Sequence, residues 1–183
     1  MAKEKLLTGV EQFFNDDDII VSKTDLKGHL TYTNKVFLDI SGYTEAEIIG
    51  KPHNIIRHPE MPRCIFKVLW DSLKSGKEIF AYVNNRTKCG DYYWVYAHVT
   101  PSWNSANEII GYHSNRRVPD RSILDEHIIP LYTELWEEEN RHANRKDGIL
   151  AAEEILVNKL LQQSVAYDEY IATVGQRRRR GYR

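Results

Sequence analysis

Between Lys51 and Pro62 the chain runs Lys51-Pro52-His53-Asn54-Ile55-Ile56-Arg57-His58-Pro59-Glu60-Met61-Pro62, which gathers an arginine, two histidines and a carboxylate among three prolines. Arg57 offers five donors in a fixed fork, suited to a phosphate or to the face of a heteroaromatic ring. His53 and His58 can each add a hydrogen bond. Farther on, the Asn85 carboxamide places a donor beside an acceptor, the arrangement that reads the edge of a heterocycle, and Asn34 can supply a second amide. Trp70 and Phe66, one helical turn apart, offer flat apolar faces for stacking. Each residue also has a plainer reading. Asn85 could satisfy a strand-end carbonyl, Arg57 and Glu60 could pair within the loop, Trp70 and Phe66 could be core, and His53 could be exposed. Together they ask for a ligand, because an extended loop of this composition is costly unless something orders it.

The elements that must position these residues follow from local pattern. A β-branched run, Ile19 to Ser22, precedes the Asp25-Leu26-Lys27-Gly28 turn and a second strand, Leu30 to Thr33, giving a hairpin. Asn34 is placed to cap a helix carrying Val36, Phe37 and Ile40 on one side, ended by Gly42. Thr44 and Glu47 form a capping box for a short helix closed by Gly50. After the polar loop, Pro62 opens a longer helix with Ile65, Phe66, Leu69 and Leu73 inward and Gly76 past its end. Ile79 to Arg86, Tyr92 to Thr100 and Ile109 to Arg116 read as three meandering strands, the middle one stopped by Pro101. The expected class is α+β, a five-stranded antiparallel sheet with helices on one face.

Beyond Pro119 the composition changes. Leu131, Tyr132, Leu135 and Trp136 suggest an amphipathic helix starting near Pro130 and broken by Gly148. A second, long helix is expected from Ile149 to Val174, with Val157, Leu160, Leu161, Tyr167, Ile171 and Val174 along one side. That stripe either packs back on the chain or forms a homodimer or partner contact. The organisation expected is an N-terminal cap (1–18), an α+β domain (19–118) and a helical extension with a basic tail (119–183).

Composition narrows the function classes. With 25 Lys and Arg against 26 Asp and Glu, the net charge of −1 argues against a general nucleic-acid binder, and no apolar run suits membrane insertion. The run Arg177 to Arg180 is the local exception and reads as a solvated tail or an acidic-partner contact. Two isolated cysteines, Cys64 and Cys89, provide neither a disulfide framework nor a zinc site, so a reducing cytoplasm is the expected compartment. The carboxylates Asp16 to Asp18 read as a solvated cap, and seven scattered histidines show no ligand spacing. Phosphate-binding glycine loops, nucleophile elbows and metalloprotease helices are missing from the sequence, so binding or signalling is expected, and not catalysis.

Between about residues 19 and 118 the chain resembles the PAS family, through Thr24-Asp25-Leu26-Lys27-Gly28, Ser41-Gly42-Tyr43-Thr44, Asn84-Asn85-Arg86 and Gly90-Asp91-Tyr92-Tyr93-Trp94-Val95. The segment Asn54 to Pro62 is similar to the FAD-binding subgroup found in bacterial aerotaxis receptors. In length the chain is similar to stand-alone PAS proteins of bipartite energy-taxis systems. The resemblance implies that His53, Arg57, His58 and Glu60 fall at positions needed for FAD; the side-chain chemistry of Asn34, Phe66, Trp70 and Asn85 adds these four to the expected cofactor-binding set. It also implies a membrane chemoreceptor, or its cytoplasmic relay domain, as the partner. FAD has a flat tricycle needing apolar walls, a pyrimidine edge needing paired donors and acceptors, and a pyrophosphate needing positive charge. A redox switch is then expected, in which Asn85 reorients and the strands from Tyr92 to Thr100 and Ile109 to Arg116 carry the change outward.

Two positions depart from the resemblance. Ile79-Phe80 stands where many flavin-binding PAS domains carry a tryptophan, and Glu60 replaces the more usual Asp. The photochemical LOV subgroup is not expected, because its Asn-Cys-Arg-Phe-Leu-like motif is missing; Cys64 reads as a small packed residue. Two alternatives use the same fold: a haem-binding gas sensor, with His53 or His58 on iron because Arg63 to Ser75 contains no histidine, and a cofactor-free interaction module.

Overall fold

A computed structural model of the chain describes residues 7–175. The Arg177–Arg180 run lies outside them. The chain divides into two compact units, one ending at Pro119 and the other beginning at Asp120.

The first unit is an antiparallel sheet of β1 (Ile20–Thr24), β2 (Leu30–Thr33), β3 (Ile79–Arg86), β4 (Tyr92–Trp103) and β5 (Ile109–Arg117), in spatial order β2-β1-β5-β4-β3. Helices α1 (Lys35–Ser41), α2 (Glu45–Ile48) and α3 (Arg63–Lys74) lie between β2 and β3 in sequence. Register sorts the side chains onto two faces. Pairing of Ala81 with Ala97, Ala97 with Arg116 and Arg116 with Ile20 puts all four on one face. That face is joined two residues along each strand by Val83, Asn85, Tyr93, Val95, Val99, Ser114 and Ser22, all buried. It is the face that meets the helices: Phe37 of α1 lies under the Arg116 guanidinium, and Trp70 of α3 meets Tyr112.

Local chemistry explains most boundaries. The Asn34 side chain caps α1 by accepting from the Phe37 N–H, and Gly42 ends that helix in the left-handed conformation. The Thr44–Glu47 capping box forms as expected. Two expectations change. The polar loop contains a turn of 3₁₀ helix at His53–Ile56. β4 also runs through Pro101 to Trp103, because β3 pairs only as far as Val99 and leaves that side open, where a missing N–H breaks no ladder bond.

The second unit departs further from its expected outline. Asp120 caps a helix at Arg121, nine residues ahead of Pro130, and α4 (Arg121–Ile123) continues through a π turn at Leu124–Ile128 into α5 (Ile129–Arg141). The wider i→i+5 turn just before Pro130 accommodates its missing N–H, so the proline sits inside a continuous helical path. Gly148 does not break a helix. It lies within α6 (Arg145–Gln163), where a Cβ would stand 2.4 Å from the Glu139 carbonyl oxygen. The single long helix is divided instead at Ser164, which takes the left-handed conformation before α7 (Tyr167–Thr173). Within the expected stripe Val157 and Leu161 are exposed, and α6 buries Ala152 and Leu156 instead.

Candidate functional site

At its centre the helix-facing surface of the sheet is polar, although it is buried. Arg116, 4% exposed, donates from Nη2 to the Ser22 hydroxyl at 2.8 Å and to His53 Nε2 at 2.6 Å. His53, carried on the 3₁₀ turn, meets Phe37 edge-on with ring centroids 6.1 Å apart. Burial and the adjacent guanidinium hold His53 down to about 3, so its ring is neutral with Nε2 the acceptor. Burial likewise lowers Arg116, to about 10, which leaves it charged at neutral pH.

Around this pair lies a set of buried polar atoms without a hydrogen-bond partner among the described residues: Arg116 Nη1, Tyr93 Oη, Asn85 Nδ2, Ser114 Oγ and Thr33 Oγ1. All five belong to one sheet face. Asn85 is directly across from Tyr93, and Thr33 and Ser114 flank Ser22. Burial drives the Tyr93 phenol upward, so it remains a protonated donor. Buried polar groups are ordinarily satisfied, and each orphan carries a desolvation penalty of about 1–3 kcal/mol. Five on one surface leave it with hydrogen-bonding groups that the described residues do not use.

The residues singled out in the sequence are placed around that surface in different ways. Asn85 is on it, with its amide nitrogen orphaned, and His53 faces it. Arg57 forms an isolated bridge with Asn85, donates to the Met61 carbonyl at 2.6 Å and lies 4.5 Å from the centre of the Phe66 ring. Trp70 sits farther along, 5.3 Å from Tyr112 by ring centroids and packed against Gly28, whose φ of 81° and tight approach to the indole suit glycine alone. His58 is buried, meets Tyr92 edge-on, and accepts from the Glu60 N–H at 3.3 Å. Glu60 itself is exposed. Asn34 uses its amide locally: Oδ1 accepts from the N–H groups of Val21 and Phe37, and Nδ2 donates to the Ile19 carbonyl at 2.7 Å. It joins β1 to α1 and has little left for a ligand.

Sequence reasoning passed over Arg116, Tyr93 and Ser22. The signal was available in strand parity. Once Val95, Ala97 and Val99 define the buried face of β4, Tyr93 shares it, and alternation in β5 turns Ser114 and Arg116 inward with Tyr112.

The matches to known proteins agree with this geometry. Residues 30–116 match the model of the PAS fold, and the five-stranded sheet with its helices is that fold; the chain contains a PAS domain. Over 121 residues, 66% of the chain, it is 42% identical to the aerotaxis receptor of Escherichia coli K12. Over 99 residues, 54% of the chain, it is 25% identical to the nitrogen fixation regulatory protein of Klebsiella pneumoniae. These matches span only 23% and 20% of the two relatives' lengths. Among solved structures, the dark state of the blue-light photoreceptor Aureochrome1 LOV matches with a TM-score of 0.54 at 19% identity, covering 63% of this chain and 86% of that one. The PAS domain of a Colwellia psychrerythraea protein matches with a TM-score of 0.51 at 20% identity, covering 55% and 86% respectively. Among the described residues no helix is long and apolar enough to cross a membrane, and no cluster of three or more His, Cys, Asp or Glu could hold a metal.

Proposed function

We propose that this PAS domain binds FAD between the polar face of its sheet and the helices, and passes the redox state of that flavin to a chemotaxis receptor in the cytoplasm. The observation that carries the reading is the orphaned polar set of Asn85, Tyr93 and Arg116 on one sheet face, inside a buried aromatic and aliphatic surround. A ring whose polar edge carries acceptor oxygens and nitrogens and whose two faces are apolar answers both halves of that description. The 42% identity to an aerotaxis receptor supports the same choice.

When bound, the flavin supplies reversible electron transfer. The protein's part is to hold and to report. The Asn85 amide can meet the pyrimidine edge with either its donor or its acceptor, so a change in that edge favours its rotation. Asn85 faces Tyr93 across the β3–β4 ladder, and β4 in turn pairs with β5. A new side-chain arrangement at Asn85 therefore acts on β4 and, through it, on β5. Signalling requires that a partner bind the two arrangements with different affinity. A membrane chemoreceptor, or its cytoplasmic relay domain, is the partner we assign, with a second copy of the chain as the competing one. Catalysis is not part of the reading.

Haem is the weaker ligand. His53 already accepts from a guanidinium at Nε2, and α3 contains no histidine. The absorption spectrum of the purified protein, with chromatography of whatever acid releases from it, tests the assignment. Flavin bands and released FAD are expected; a Soret band, or no chromophore together with no uptake of added FAD, would overturn it.

A further inference from the structure

We propose that Arg116 is the counter-charge for the reduced flavin ring, a cation stored without a protein anion so that the negative ring completes it. The inference rests on the FAD reading and adds to it the residue that sets the redox balance. Arg116 is buried, its Nη2 is committed to two neutral acceptors, Ser22 and His53, and its Nη1 has no partner. The acting groups are burial and the Tyr93 phenol; no carboxylate contributes among the described residues. A buried ion without a counter-ion is costly by several kcal/mol, so its retention calls for an anion that arrives later.

The position fits the ring. Arg116 shares the sheet face with Asn85 and Tyr93, the latter close enough for its phenol to be sensed by the guanidinium. Reduction by dithionite adds two electrons to the ring and one proton at N5. One negative charge remains, spread over N1 and the neighbouring carbonyl, and no group leaves. Ser22 and His53 fix the guanidinium in place, and neutral His53 adds no competing charge.

The test is the midpoint potential of the FAD-loaded protein as wild type, Arg116→Met and Arg116→Lys, followed from pH 6 to pH 8. Met is expected to shift the ratio of reduced to oxidised flavin at least tenfold toward oxidised, a fall of about 30 mV for a two-electron couple, with Lys recovering part of it. The wild type alone gives a second readout. One proton per two electrons means a slope of about 30 mV per pH unit throughout, whereas neutralisation of the ring by a second proton gives about 60 mV. A wild-type slope of about 60 mV at pH 6–8, or equal potentials in wild type and Arg116→Met, overturns the proposal while leaving the flavin reading intact. Equal potentials with weaker uptake of FAD but not of riboflavin would move Arg116 to the pyrophosphate. A wild-type protein that takes up no flavin removes both.

Discussion

Arg116 and His53 lie 63 residues apart in sequence and meet at 2.6 Å, the guanidinium donating to the imidazole. Each fixes the other's role. Burial, reinforced by the charged guanidinium, keeps the imidazole neutral, and the neutral imidazole gives the guanidinium an acceptor without cancelling its charge.

The buried imidazole gives stability a pH dependence of known sign. His53 is lowered from 6.5 to about 3 in the fold, so between those values the unfolded chain binds more protons than the folded one. Stability is therefore full above pH 6.5 and falls as pH drops toward 3, by up to about 1.4 kcal/mol per unit for a single group. Burial lowers His58 and His113 as well, which adds to the same trend. Urea midpoints should fall from pH 7 to pH 5, and His53→Gln should flatten the slope. An unchanged slope in that variant would show that His53 is not the group responsible.

Asn85 separates binding from folding. Its Nδ2 is buried without a partner, so Asn85→Leu removes a desolvation penalty and should leave the stability of the flavin-free protein within about 1 kcal/mol of wild type. Uptake of FAD should fall at least tenfold. Denaturant melts and flavin titrations on the same samples check both halves, and a large loss of stability would mark Asn85 as a purely structural residue.

Much of the sensory domain was legible because each element carries its own punctuation. The Asn34 cap and the Thr44–Glu47 box stand where local pattern puts them, and so do the three meandering strands, except that the middle one continues past Pro101 to Trp103. The site was only half legible. Asn85 and His53 face the polar surface, but the amide of Asn34 is spent on backbone, and Arg116 and Tyr93 emerge only when strand register assigns faces. The helical unit was read least well, since its boundaries depend on contacts between segments. Gly148 resembles a breaker in sequence and is a crossing point in space.

The crossing inverts a rule. Replacing an interior helical glycine by alanine ordinarily favours the helix by about 1 kcal/mol. At Gly148 the added Cβ would lie 2.4 Å from the Glu139 carbonyl oxygen, so Gly148→Ala should destabilise the α5–α6 pair by about 1–3 kcal/mol. Thermal melts of the two proteins decide the sign.

Two leucines on α6 distinguish the buried seam from the outer stripe. Leu156 is 2% exposed and Leu161 is 67% exposed. Leu156→Ala should be destabilising by about 2–5 kcal/mol, and Leu161→Ala should change stability by no more than about 0.5 kcal/mol. Comparable losses at dilute concentration would show that the outer stripe is covered.

The most direct test of the account is a titration of flavin-free protein with FAD, followed by quenching of flavin fluorescence. Saturation at one FAD per chain in the wild type, strongly weakened in Asn85→Leu, is the predicted result. Fluorescence that stays at its free value through an excess of protein would contradict it.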